Sequence, residues 1–85
     1  MTGFTYHIKA AEGLHALPAA AFVKQAGDFP GSAVLTCKGR SVDAKRVMHV
    51  MSLGIKQNDV IEVSLNGDGE DEAASKLKEL CEKLF

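Results

Sequence analysis

The chain has 85 residues, of which 46% are hydrophobic and 25% charged, with a formal net charge of −1. This length supports one small core, so residues 1–85 are predicted to form a single domain. A near-neutral balance gives no general support for nucleic-acid binding, which usually shows as a basic excess. Because no apolar run is long enough to span a membrane and Met1–Phe4 lacks signal-peptide character, we expect a cytoplasmic protein.

The two cysteines, Cys37 and Cys81, are far apart and match no metal-binding or redox spacing. Each lies on the apolar phase of its segment, where a free thiol behaves as a small hydrophobic group. We therefore expect two reduced cysteines, with a Cys37–Cys81 disulfide as the less favoured alternative.

The first elements follow from hydrophobic periodicity. Residues 4–9 alternate apolar and polar side chains, which predicts a strand with His7 on its polar face. After a loop, residues 16–26 repeat apolar side chains at helical spacing. Pro18 fits the first turn of this helix because it needs no amide hydrogen bond there, and Gly27 is placed to end it.

Two strands and a short helix come next. Residues 32–37 alternate again, and Lys38-Gly39 connects them tightly to residues 40–43, which predicts a hairpin. A short apolar helix, bounded by Gly54, contains Met48 and Met51. These methionines are interpreted either as an adaptable docking face or as fillers of gaps in the core.

The last strand and helix complete the fold class. Residues 60–65 alternate cleanly, and acidic residues 70–72 open a helix that ends near Leu84. The order β-α-β-β-α-β-α in so short a chain predicts an α+β fold, with a four-stranded antiparallel sheet and the helices on one side.

His15 stands where the first loop enters the first helix. The N–H groups of Ala16 and Leu17 lack intrahelical partners there and lie at the positive end of the helix dipole. A phosphoryl group on the His15 ring could place its oxygens on these amides. The alternative is a histidine that only caps the helix. The sequence contains no metal-ligand spacing and no glycine-rich nucleotide loop, so neither a metal nor a nucleotide is predicted.

Two stretches resemble one known family. Residues 13–19, Gly-Leu-His-Ala-Leu-Pro-Ala, resemble the active-centre motif of HPr, the histidine-containing phosphocarrier of the bacterial sugar phosphotransferase system. Residues 47–54, Val-Met-His-Val-Met-Ser-Leu-Gly, are similar to the second signature of that family. Their spacing fits, and the predicted element order matches over essentially the whole chain.

The resemblance implies an open-faced β-sandwich and a phosphoryl relay. Enzyme I, charged by phosphoenolpyruvate, would phosphorylate His15, and the chain would pass the group to enzyme II A domains. Such a protein is a carrier and not a catalyst in the strict sense; it needs no cofactor, and we expect a monomer. The implied docking surface comprises Ala20, Lys24, Val47, Met48, His49 and Met51.

The sequence departs from the family at two positions. Leu17 stands where the family usually has an arginine before the proline, so the usual cation beside the phosphoryl group is missing. Arg46 stands where Gram-positive members commonly carry a regulatory serine, so we expect no serine phosphorylation there. Arg46 is a candidate to supply the missing charge from across the surface. His49 is interpreted as a contact at the rim of the surface and not as a second acceptor.

Two alternatives to a sugar-system carrier stay open. Leu17 favours an HPr-like regulatory or binding module with weak or no phosphotransfer, whereas His15 and Pro18 favour the carrier. A carrier for a nitrogen or dihydroxyacetone branch has the same sequence features as a sugar carrier.

Overall fold

The computed structural model describes residues 1–13 and 16–85, and the backbone alone at residues 16 and 17. Its seven elements follow the predicted order β-α-β-β-α-β-α. They are β1 Thr2–His7, α1 Ala16–Gly27, β2 Ser32–Cys37, β3 Arg40–Asp43, α2 Val47–Met51, β4 Val60–Asn66 and α3 Glu70–Leu84.

The four strands form one antiparallel sheet in the order β1-β4-β2-β3. One row across the sheet pairs Thr5 with Glu62, Glu62 with Thr36, and Thr36 with Ser41. This row is polar, whereas the opposite phase of the strands is apolar and lies under the helices. The predicted open-faced β-sandwich with three helices on one side is confirmed.

The core lies between the helices and the apolar phase of the sheet. In the central strands, Leu35, Ile61, Val63 and Leu65 are fully buried. From α1, Phe22 packs edge-on against Phe85, with ring centroids 6.5 Å apart and an interplanar angle of 63°. This packing fixes α1 beside the end of α3.

Both cysteines are buried free thiols, as the apolar phase of their segments predicts. Burial raises the pKa of the Cys81 thiol to about 12 and also raises the pKa of the Cys37 thiol. The thiolate forms required for oxidation or metal binding are therefore suppressed in the folded protein.

The first strand spans Thr2–His7 and not residues 4–9, so it lies two residues before its predicted position. The apolar-polar alternation continues through Ile8 and Lys9, but the hydrogen bonds change partner there. The Ile8 N–H donates to the backbone oxygen of Asp59, 2.9 Å away, and the Lys9 and Ala10 N–H groups donate to that of Phe85. Pairing with β4 ends at His7.

The hairpin between β2 and β3 has the predicted two-residue turn. Lys38 and Gly39 both have positive φ, 52° and 79°, which matches the twist of antiparallel strands. In residues 1–13 and 16–85, none of the helices combines the length and apolar character needed to cross a bilayer.

Candidate functional site

The predicted phosphoryl acceptor, His15, lies outside the described residues, as do the side chains of Ala16 and Leu17. The chain is described on both sides of it, at Gly13 and from the start of α1 onward. The site is therefore built from these flanking segments and from α2.

Gly13 is buried and lies against the chain that follows α2. Its φ of +68° belongs to the left-handed region, which favours glycine. A Cβ at this position would overlap the Ile55 carbonyl oxygen and lie 2.8 Å from Lys56 Cα. The Gly13 N–H also donates to the Ala10 oxygen at 3.0 Å. Only a residue without a side chain fits two positions before His15.

A turn over residues 55–59, called the 55–59 turn below, supports the segment of residues 8–13. The Asn58 N–H donates to the Ile8 oxygen at 2.8 Å, and the Gln57 side-chain amide donates to the Lys9 oxygen at 3.1 Å.

Within the turn, the Asp59 carboxylate accepts the Lys56 N–H at 2.8 Å and pairs with Lys38 Nζ at 3.2 Å. Sequence analysis missed this support. Asp59, just before a strand and three residues after Lys56, was a signal for the turn itself but not for its contact with residues 8–13.

Helix α1 begins at Ala16, so the predicted phosphate-binding amides of residues 16 and 17 belong to its first turn. That turn carries no acidic residue, so none of its own side chains competes with an anion for these amides. Pro18 lies in the same turn, as predicted.

Helix α2 presents a partly apolar surface to solvent. Val50 is its buried residue and attaches it to the core. Met48 is 73% exposed and Met51 39% exposed, which rejects the interpretation that they fill gaps in the core. His49 is exposed beside them, and Val47 is partly exposed.

Helix α1 packs against α2. Ala20 and Lys24 are exposed on α1. We call the surface formed by Ala20, Lys24, Val47, Met48, His49 and Met51 the α2 face.

Arg46 precedes α2 and is an exposed cation at this end of the helix. Its side chain is 68% exposed, and its Nε lies 3.6 Å from Asp43 Oδ2. In contrast, the Lys45 ammonium donates to the Phe29 carbonyl oxygen and lies 5.9 Å from the centre of the Phe29 ring. Lys45 therefore has a structural role, whereas the exposed Arg46–Asp43 pair costs little to open.

The described part of the chain contains no group of three or more histidine, cysteine or acidic residues arranged to hold a metal ion.

Comparison with known proteins places this geometry in a family. The family model described as "PTS HPr component phosphorylation site" matches residues 3–83. The structure is similar to HPr of Thermoanaerobacter tengcongensis, with 41% identity and a TM-score of 0.94 over 100% of this chain and 96% of that one.

Two further solved structures are similar. Phosphocarrier protein HPr of Bacillus anthracis is 30% identical, with a TM-score of 0.86 over 93% of this chain and 94% of that one. The catabolite repression protein Crh of Bacillus subtilis, a dimer with swapped domains, is 31% identical, with a TM-score of 0.76 over 98% of this chain and 95% of that one. The match over nearly all of the sequence, together with the shared strand order and helix placement, establishes that this chain belongs to the HPr family.

Proposed function

We propose that this chain is a phosphocarrier that accepts a phosphoryl group from phosphorylated enzyme I on His15 and passes it to enzyme II A domains. The observation that carries the proposal is a histidine in the family's phosphorylation-site motif, with Pro18 retained after it. Membership of the family supports partners from the phosphotransferase system and a cytoplasmic location.

The transfer step exchanges one bond to phosphorus for another. A neutral ring nitrogen of His15 attacks, the new P–N bond forms, and the bond between phosphorus and the donor breaks. The N–H groups of Ala16 and Leu17 donate hydrogen bonds to the phosphoryl oxygens. An exposed helix N-terminus contributes less than about 1 kcal/mol, which suits a group that must be handed on.

The α2 face is the proposed docking surface for both partners. Met48 offers a flexible apolar side chain that adapts to different surfaces. In this proposal Lys24 is a cation of the face and Arg46 is a cation at its rim. Rim charges of this kind raise the encounter rate with acidic partners more than they raise affinity. In this proposal His49 contacts the partner and is not phosphorylated.

Incubation with phosphoenolpyruvate and enzyme I tests the proposal. We expect one acid-labile phosphate per chain, absent from His15→Ala and retained in the matched variants His7→Ala and His49→Ala. Failure of enzyme I to label the wild-type chain, or label that persists in His15→Ala, would contradict it.

A regulatory module is the second candidate, favoured by Leu17 in place of the usual arginine and by the likeness to Crh. This module would bind its partners through the α2 face without carrying phosphate. Strong binding to a partner together with no label from enzyme I would favour it. A nitrogen or dihydroxyacetone branch is distinguished from a sugar branch by which acceptor domain takes the label.

We also propose that the chain acts as a monomer. β1 pairs with β4 of the same chain, as in a protein that completes its sheet alone, although the similar structures include a dimer of HPr from Thermoanaerobacter tengcongensis and the swapped Crh dimer. Light scattering across a dilution series tests this proposal. We expect the molar mass of one chain at every concentration, and a mass of two chains that persists on dilution would contradict it.

A further inference from the structure

The Asp59 carboxylate accepts a hydrogen bond from the peptide group that Gly13 contacts. That peptide joins Ile55 to Lys56. Its N–H donates to Asp59 Oδ2 at 2.8 Å, while its carbonyl oxygen faces the Cα of Gly13 so closely that no Cβ fits between them. One side chain therefore fixes the surface against which the chain lies just before His15.

The same residue also fixes the start of the 8–13 segment through its backbone. The Asp59 oxygen accepts the Ile8 N–H at 2.9 Å, and the Asp59 N–H donates to the Lys56 oxygen at 3.0 Å. The turn is thus closed by reciprocal bonds between residues 56 and 59. Asn58 has a φ of +75° within the turn, a left-handed conformation that asparagine adopts more readily than most residues other than glycine.

The charges around Asp59 favour the ionised carboxylate. Lys38, in the hairpin turn between β2 and β3, pairs with it at 3.2 Å, and this ion pair links the hairpin to the 55–59 turn. Asp59 is therefore connected to β4, to the hairpin and to the 8–13 segment.

We propose that Asp59 is a positioning residue for phosphorylation: it fixes the 55–59 turn, and this turn fixes Gly13 and thereby the point from which the chain reaches His15. The proposal rests on the proposed function of His15. Asp59 touches neither substrate nor phosphate in this account. Misplacement of reacting groups by about 1 Å can lower a rate by roughly a hundredfold. Partial loosening of the 55–59 turn should therefore lower the rate of phosphorylation measurably.

The test compares Asp59→Ala and Asp59→Asn with Glu62→Ala and Glu62→Gln. Glu62 is an exposed acidic residue on β4 that faces away from the helices, so its variants match the change in charge. All five proteins are compared at a temperature at which circular dichroism shows them folded. The readouts are kcat and KM for phosphorylation by enzyme I, and hydrogen exchange at the Gly13 and Ile8 amides.

We expect Asp59→Ala to lower kcat roughly tenfold while KM changes by less than about twofold, because the α2 face is unchanged. Exchange at Gly13 and Ile8 should accelerate in the same variant. Asp59→Asn should recover most of both losses, since its amide oxygen still accepts the Lys56 N–H. The Glu62 variants should match the wild type.

Wild-type kcat in folded Asp59→Ala would overturn the proposal, and so would a lower kcat with unchanged exchange at Gly13. An equal loss in Glu62→Ala would assign the effect to charge alone and would also overturn it. If enzyme I does not phosphorylate even the wild type, the proposed function fails. The exchange measurement still decides whether Asp59 holds this segment.

Discussion

At the scale of single residues, the site depends on positions where one side chain, or its absence, decides the local geometry. Gly13 and Arg46 are the two clearest cases. Gly13 leaves room for the Ile55–Lys56 peptide, and Arg46 is an exposed cation just before α2, proposed to compensate for Leu17 where the family usually has an arginine.

Replacing Gly13 by alanine should destabilise the protein and slow phosphorylation of His15. The added Cβ overlaps the Ile55 oxygen, and the positive φ is unfavourable for alanine. We therefore expect the free energy of unfolding to fall by about 2–4 kcal/mol. Gly27→Ala is the control, because a Cβ there meets no atom within 4 Å. Urea unfolding measures both variants. A Gly13→Ala protein as stable as Gly27→Ala would show that the close approach is absent.

Replacing Arg46 by glutamate should slow phosphorylation by enzyme I if Arg46 compensates for Leu17. We expect a roughly tenfold lower rate at low salt and a smaller difference at high salt, because a solvent-exposed charge is screened. Lys78→Glu makes the same charge change at an exposed position on α3. Stopped-flow phosphorylation of both variants measures the effect. An unchanged rate in Arg46→Glu would remove Arg46 from the site.

At the scale of elements, α2 is a short helix with one buried side and one exposed side, and we propose that the exposed side binds partners. Val50 is fully buried, whereas Met48 is 73% exposed. Val50→Ala should therefore cost about 2–3 kcal/mol of unfolding free energy. Met48→Ala should change stability by less than about 0.5 kcal/mol while raising the KM for enzyme I. Thermal unfolding and steady-state kinetics measure the two effects. A Met48→Ala protein with unchanged KM would place docking elsewhere.

The 55–59 turn makes part of the stability depend on pH. The hydrogen bond from the Lys56 N–H, assisted by Lys38, lowers the pKa of Asp59 in the folded protein, and partial burial opposes this only in part. An aspartate in the unfolded chain has a pKa of about 3.9. The ionised carboxylate therefore stabilises the fold above that pH, and the contribution disappears as the pH falls through the lower folded value.

As the pH falls from 6 to below about 3.9, the free energy of unfolding of Asp59→Asn should decrease less than that of the wild type, because asparagine does not titrate. The midpoints of urea unfolding at several pH values measure this difference. Glu70 also has a lowered pKa in the folded protein, so the wild-type dependence should shrink in the variant and not vanish. If the unfolding midpoints of the two proteins changed in parallel with pH, Asp59 would not be a source of the pH-dependent stability.

At the scale of the whole molecule, charge is separated along a chain that is nearly neutral overall. Residues 38–56, which contain α2, carry five basic side chains and one acidic one, whereas residues 57–85 carry eight acidic and three basic ones. The segment around the α2 face is therefore basic, a distribution that favours encounter with acidic partner surfaces.

Sequence periodicity predicted the element order and most of the core, because alternation and helical spacing directly record which side chains are buried. The apolar phases of residues 33–37 and 61–65 are both buried, as predicted. Periodicity did not predict where β1 ends, because Ile8 continues the alternation but bonds to Asp59. The support of Gly13 by the 55–59 turn depends on contacts between segments more than 40 residues apart, which local patterns do not encode.

The most direct measurement of the central claim follows one phosphoryl group through the whole relay. The chain is labelled from radioactive phosphoenolpyruvate by enzyme I, purified, and then mixed with an enzyme II A domain. The account predicts that the label enters at His15, is lost in acid, and moves to the acceptor domain within the mixing time. Label that never enters the chain, or that enters and cannot be passed on, would contradict it.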